Sequence, residues 1–565
     1  MWMTELPPFV PFFLGAPFAF LAHGRLRAAL LLAVPVLGGL HLLTVEPGVY
    51  WRLDLMGYEL VPYRVDRLSL LFGYLFHIAA FLAVLFSLHT RDPIQYAAGL
   101  LYAGSALGAV FAGDLLTLFI FWELLAVTSV FLVWARRTPA ARASGFRYLI
   151  VQVLSGVLLL AGALAWLRET GSLAFGYMGL EGGLASGLVF AALAIKSAFP
   201  LLHNWVTDAY AEATPGGTVF LSAFTTKVAV YALARAFPGT EALIYIGAAM
   251  AMFPIFYAVI ENDLRRVLAY SMINQVGFMV CGVGIGTSLA LNGAVAHAFN
   301  DVIFKGLLFM SMGAVLHMTG RINGSDLGGL YKSMPWTTTF CIVGAASISA
   351  FPLFSGFVSK SMVMTAAQLE GYPIVWLALL FASAGVFHHA GIKIPYFAFF
   401  AHDSGIRTTE PPRNMLAAMG LAAVLCIFIG AYPSVLYGLL PYEAAYHPYT
   451  TTHVLAQLQL LFFSALAFVW LNLTHRYPPE LRSTNLDAEW VYRRLAPRLL
   501  HRLGGGIAAV DGAFRAAVWA RLSGLNAVIL RHHGPQGVVA RTWPIGSMVM
   551  WVAVLLAVFV LAYYL

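Results

Sequence analysis

Five lysines lie inside segments that are otherwise apolar: Lys196 in LAIKSAFPLLH, Lys227 in FTTKVAVYAL, Lys305 in DVIFKGLLFMS, Lys360 in FSGFVSKSMV and Lys393 in HHAGIKIPYF. A cation at the centre of a membrane span costs about 2.5–3.5 kcal/mol on insertion scales, so such residues are rarely idle. Burial disfavours the charged amine, which lets a lysine exchange protons near neutral pH. Glu123, in LFIFWELLAVTSVFLVW, has no other ionisable residue within eight positions on either side. A carboxylate there is neutral or paired with a cation, and Lys196 is the natural partner. A structural salt bridge is one reading of that pair. Two proton sites with coupled titrations is the favoured one.

His297, Asp301 and Lys305 are spaced i, i+4, i+8 and share one helical face. Their order suits a proton relay, with a self-satisfied polar seam as the alternative. A metal site needs more ligands than this face offers. Lys360 follows Ser355, Gly356 and Ser359, small residues suited to an unwound helix. Lys393, after His388 and His389, either extends the same line outward or snorkels to the interface. His203, Asp208 and Glu212 either gather protons at a cytoplasmic entrance or are solvated loop charges. Asp114 follows Gly113 and reads as a helix N-cap.

The elements that must hold these residues are membrane spans. Sixty per cent of the 565 residues are hydrophobic and 10% charged, and mean hydropathy is +0.80. The chain therefore reads as an all-α polytopic membrane protein. Met1 to His23 lacks the basic start of a cleavable signal and reads as a first span. The charge of +8 is no nucleic-acid signal, because the arginines cluster as a topology signal would. Cys281, Cys341 and Cys426 are scattered singly, which argues against a zinc site, an iron–sulfur cluster or a disulfide framework. No cofactor motif is present.

We count about 16 spans of roughly 20 residues. Those over 289–318 and 336–365 are too long for simple spans, so each is expected to be tilted or broken. Pro200 follows Lys196 by four residues, and SAFPL at 197–201 recurs at 349–353 ahead of Lys360. Matching interrupted helices in two halves are a pointer to a transport site. One set of alternate loops carries Arg25 and Arg27, Arg136 to Arg147, Arg265 and Arg266, Arg321 and Lys332, Arg407 and Arg413, and the ten arginines from Arg476 to Arg541. That set is expected to be cytoplasmic, with both termini outward. Residues 45–66 alternate as an extracellular hairpin would. Residues 484–533 pattern as one or two amphipathic helices on the cytoplasmic interface, interrupted by Pro497 and Gly504-Gly505-Gly506. The expected organisation is 1–93, N-terminal helices with the hairpin; 94–241 and 242–400, two half-channels; 401–474, peripheral helices; 475–542, the lateral segment; and 543–565, an anchor.

Several stretches carry a resemblance: FWELLAVTS (121–129), AIKSAFPLLHNWVTDAYAEATP (194–215), TTKVAVYAL (225–233), RRVLAYSMINQVGFMVCGVGIGT (265–287), HAFNDVIFKGLLFMSMGAVLH (297–317), FPLFSGFVSK (351–360) and HDSGIRTTEPPRNMLAAMG (402–420). Collinear over 94–437, they resemble the antiporter-like subunits shared by Mrp-type cation/proton antiporters, respiratory complex I and energy-converting hydrogenases, with the D-type Mrp subunit most similar. The resemblance implies a core of about fourteen helices with two inverted repeats of about five helices, each with a broken helix. It makes Glu123–Lys196 the family's glutamate–lysine pair, Lys227 the bridging lysine, Lys305 the central lysine and Lys360 the terminal lysine. His297 matches the first of two histidines usual before the central lysine, and Asp301 stands where the second would be. Thr207 replaces a usual proline, and Gly216-Gly217-Thr218-Val219 replaces PVSA. The C-terminal strap and last helix resemble the lateral arm of the largest complex I subunit of this type.

The function implied is that of a transporter subunit rather than an enzyme: proton translocation within a Mrp-type Na⁺/H⁺ antiporter of the bacterial inner membrane. Other integral membrane subunits would be its partners, with protons and Na⁺ as cargo. The alternatives are a proton-pumping subunit of a redox complex, whose redox centres would sit on other chains, and the membrane subunit of an inorganic-carbon uptake complex.

Overall fold

The computed structural model describes residues 5–55, 57–181, 183–482, 485 and 487–565. Met56 of the hairpin, and residues 484 and 486 of the lateral stretch, lie outside the described residues. The chain divides into two units, 1–485 and 486–565.

In the first unit, the hairpin forms as read. Strands Gly48–Leu55 and Tyr58–Val65 pair antiparallel, with Leu55 opposite Tyr58. Across the described residues, 13 helices are long and apolar enough to cross a membrane, with shorter apolar helices at Val10–Leu21 and Gly183–Lys196. The core is built by Pro215–Ala236, Leu264–Ile285 and Ser288–Thr319, buried along most of their lengths. Small residues set the closest approach. A Cβ on Gly247 would lie 2.3 Å from the Cys281 nitrogen, and one on Gly277 would lie 2.5 Å from the Ala251 nitrogen. The helices carrying them can touch backbone to backbone, as small residues permit in membranes.

The two long segments behave differently. Ser288–Thr319 is one unbroken helix of 32 residues, roughly 48 Å at the α-helical rise. It contains no proline, so nothing in its backbone forces a break. The second segment splits into Pro335–Ile348 and Ser355–Leu369. SAFPL is the cause, and it acts identically in both copies. Phe199 N–H bonds the Ala194 carbonyl and Ala198 N–H bonds that of Ile195. In the second copy, Phe351 bonds Ala346 and Ala350 bonds Ser347. This is the paired 6→1 and 5→2 closure of a Schellman helix end. It requires a left-handed residue, and alanine takes that place twice: φ is +60° at Ala198 and +57° at Ala350. Leu201 and Leu353 are also left-handed, at +69° and +74°. Each such residue costs about 1–2 kcal/mol, and Pro200 and Pro352 bar the helix from continuing.

A third interruption divides Pro215–Ala223 from Thr225–Ala236 at Phe224. There the Thr225 amide donates to the Tyr102 hydroxyl at 3.0 Å instead of to its own helix.

In the second unit, Ala496–His533 is a single helix of 38 residues, about 57 Å long. The expected interruption at Pro497 is a distortion and not a break: a π-helical turn, Val491–Leu495, runs directly into the helix just ahead of the proline. The glycines cause no interruption. Gly504-Gly505-Gly506 stay helical at about 1 kcal/mol each relative to alanine. Ile545–Tyr564 follows as an apolar helix of 20 residues.

Candidate functional site

The buried lysines do not simply face acids. Most are held by carbonyls at helix ends. An α-helix leaves its last carbonyls without partners and carries partial negative charge there, so an ammonium satisfies both needs. Lys360 donates to the Ile348 carbonyl at 3.0 Å, at the end of the half-helix before the second break, and lies 5.0 Å from the Phe278 ring centre. Lys227 donates to the Ser222 carbonyl at 3.1 Å, freed by the interruption at Phe224. Lys393 donates to the carbonyls of Val259 and Glu261 at 2.7 and 2.6 Å, where Glu241–Ile260 ends. Lys305 donates to the Ser271 hydroxyl at 2.8 Å.

Lys196 is the last residue of the Gly183–Lys196 half-helix and fully buried. Its ammonium donates to the Trp122 carbonyl at 2.5 Å and lies 4.5 Å from the Trp122 ring centre. Glu123 is the next residue and makes no ion-pair contact with Lys196. One of its carboxylate oxygens is buried without a hydrogen-bond partner. That oxygen rests on Gly156, where a Cβ would come within 1.4 Å of it. Trp122 is fixed in turn by donating to Ser155 Oγ at 2.9 Å, and Ser155 donates to the Ala192 carbonyl at 2.7 Å. Sequence reasoning missed Trp122, Ser155 and Gly156. The signal was the adjacent Ser-Gly pair in an apolar helix.

Asp301 finds its partner on another helix. Its Oδ2 lies 2.6 Å from the Lys227 ammonium, with both side chains fully buried. The i, i+4, i+8 row shares a face of Ser288–Thr319, but no hydrogen bond links its members. His297 uses both ring nitrogens elsewhere, with Nδ1 3.0 Å from Ser359 Oγ and Nε2 3.0 Å from Gln275 Oε1. The direction of this chain follows from its far end. Asn274 donates to the Ala251 backbone carbonyl, so its own oxygen accepts from Gln275 at 2.5 Å. The Gln275 oxygen then accepts from His297, which carries its proton on Nε2. Nδ1 is left to accept from Ser359, the neighbour of Lys360. The network thus selects the tautomer.

The loop acids are paired. Asp208 meets Arg147 at 2.8 and 2.9 Å, and Glu212 meets Arg136 at 3.2 Å. His203 packs 4.7 Å from the Phe253 ring centre. Asp114 is an N-cap, accepting from the Thr117 amide at 2.7 Å, and it also holds the hairpin through the Val61 amide at 2.8 Å. Lys393 reaches a helix end beside a loop. Glu261 belongs to the loop of Arg265 and Arg266, so the ammonium ends at the arginine-rich face. Its carboxylate partner there, Glu480 at 2.9 Å, was not anticipated.

A multi-pass fold with two matched broken helices and lysines at helix ends defines an antiporter-like membrane protein. Residues 112–387 match the family described as NADH:quinone oxidoreductase/Mrp antiporter, TM. The D-type Na(+)/H(+) antiporter subunit of Alkalihalophilus pseudofirmus is 30% identical over 326 residues, 54% of this chain and 65% of that protein. Hydrogenase-4 component B of Escherichia coli is 28% identical over 352 residues, 55% of this chain and 52% of that protein. A probable K(+)/H(+) antiporter subunit of Rhizobium meliloti is 30% identical over 407 residues, 66% of this chain and 40% of that protein. The chain thus spans 40–65% of these relatives' lengths. Among solved structures, a chain of the Mrp complex from Dietzia superposes with a TM-score of 0.71 at 22% identity, over 80% of this chain and 99% of that one. A chain of an archaeal membrane-bound sulfane sulfur reductase gives 0.72 at 21%, over 98% of this chain and 100% of that one. Both show a shared fold.

Proposed function

We propose that this chain is the proton-translocating subunit of a multisubunit Mrp-type monovalent cation/proton antiporter in a bacterial cytoplasmic membrane. The observation that carries the reading is the buried Lys227–Asp301 pair, set between the two broken helices with Lys305, His297 and Lys360 beyond it. An ion pair with both members out of water is costly to bury, so its presence there points to a use beyond stability. Protons would enter near Lys227 and pass along His297, Asp301 and Lys305 toward Lys360. The charge on Lys196, set against Glu123, would gate the movement. Unpartnered polar atoms on Thr226, Asn300, Ser355 and Ser361 support a path that takes up water. Partners would be other integral membrane subunits, and Na⁺ the exchanged ion.

The test is sodium-dependent proton flux in vesicles carrying the purified assembly. Flux driven by a sodium gradient, and lost in Lys196→Ala or Glu123→Ala with the chain still assembled, is the expected result. Absence of sodium-linked flux in the wild-type assembly would overturn it.

A second reading, a proton-pumping subunit of a redox complex, is favoured by one observation. The sulfane sulfur reductase chain matches 98% of this chain, C-terminal helices included, against 80% for the Mrp chain. Iron–sulfur subunits copurifying with the chain would select it.

A further inference from the structure

The segment after the Thr451–Leu473 helix lies over the end of the Lys393 helix. Tyr477 stacks on His388, with ring centres 5.5 Å apart and planes 12° apart. Arg482 binds Asp326 at 2.6 Å, and Asn485 reaches the Ile260 carbonyl and the Glu261 carboxylate at 3.3 Å each. Between these fastenings Glu480 points inward. It is buried, and its carboxylate meets Lys393 at 2.9 Å. Lys393 closes a π-helical turn, Phe387–Lys393, a distortion frequent at functional sites. Inside the same turn His389 is fully buried, and neither ring nitrogen makes a hydrogen bond of ordinary geometry.

These contacts are unequal. Two backbone carbonyls already hold Lys393, so it needs no acid to stay in place. Among the described residues, Glu480 has the ammonium as its one polar partner, and burial holds its carboxyl above the usual carboxylate range against the pull of Lys393. A carboxyl in that condition takes up and gives back a proton readily. The remaining charged or titratable groups facing Lys393 are Glu261, which Arg266 approaches at 3.9 Å, His388 and His389, with Tyr477 beside Glu480.

We propose that Glu480 and Lys393 form an ionic gate at the arginine-rich face, with the buried His389 of the same π-helical turn taking the proton from Lys393. Glu480 holds the proton next to Lys393 and passes it on. The step moves one proton: from Glu480 to the neutral Lys393 amine, then to the free His389 nitrogen. This inference rests on the proton-translocation reading above.

The test is Glu480→Gln in the assembled complex in vesicles, with pH varied on one face at a time. Flux should fall roughly tenfold. Removing the acid makes Lys393 harder to protonate, so the profile for the arginine-rich face should move about one unit toward acid. The profile for the opposite face should not move. Arg482→Gln, which loosens the same segment but spares Glu480, should leave flux and both profiles unchanged. A wild-type flux and profile in Glu480→Gln would overturn the gate. So would a profile shifted equally on both faces, or Arg482→Gln reproducing the Glu480→Gln effect. A wild-type assembly without proton flux would instead overturn the reading beneath it.

Discussion

The two broken helices have the same backbone and hang their charge on it differently. Both end their first half in a Schellman turn with alanine and leucine in left-handed conformations. In the first, the lysine is the third residue after Leu193, on the near half, two positions before the left-handed Ala198. The equivalent position in the second is Ile348. There the far half supplies the cation, when Lys360 reaches back to the Ile348 carbonyl. In the first, the far half supplies a neutral donor instead, as Trp205 gives its indole N–H to the Ile195 carbonyl at 2.9 Å. The repeated feature is the exposed helix end. The residue that answers it is free to change, and a lysine in that place turns a structural cap into a proton site.

The largest effect is expected where the halves meet. Lys227→Met should destabilise the complex by about 3–5 kcal/mol, because Asp301 is left buried without its ion-pair partner. Lys227→Met with Asp301→Leu should recover most of that stability while flux stays lost. Thermal unfolding in detergent beside flux in vesicles measures both.

Next come the two caps. Lys360→Met leaves the Ile348 carbonyl without its donor and should cost about 1–3 kcal/mol, whereas Trp205→Phe leaves the Ile195 carbonyl bonded to the Ala198 amide and should cost about 0.5–1.5 kcal/mol. Only Lys360→Met should stop transport. Equal loss of flux in both would mean that the breaks work as structure alone.

Gly156→Ala probes the first half by itself. Its Cβ takes the space of a Glu123 carboxylate oxygen, so the acid must move, at about 1–3 kcal/mol. Flux should fall with the chain still assembled, whereas Gly420→Ala, whose Cβ meets only Phe340 at 3.4 Å, should be silent.

The smallest effect is shared. Ala198→Gly and Ala350→Gly each relieve a left-handed alanine, and each should stabilise by up to about 1 kcal/mol with flux retained. A gain in one repeat alone would break the equivalence of the two turns.

The repeated SAFPL made both breaks legible in the sequence, because proline and recurrence carry that signal. Alanine in a left-handed turn was not legible, since nothing in its type asks for φ > 0. Each charged residue of the central line was visible as an ionisable group in an apolar run. Their pairing was not. Spacing placed Asp301 with His297 and Lys305 on one helix, and tertiary packing gave it to Lys227. Glu480 lies 87 positions from Lys393 in a proline-containing loop, where an acid reads as solvated. The interruptions expected at Gly504-Gly505-Gly506 show the converse, since local helix-breaking composition did not end the helix.

The measurement that bears most directly on the account is proton flux through the reconstituted assembly carrying Asp301→Asn. The substitution keeps the shape beside Lys227 and removes the charge. The account predicts an assembled complex with flux reduced roughly tenfold or more, because Lys227 then loses its ion-pair partner. Wild-type flux in Asp301→Asn would contradict it.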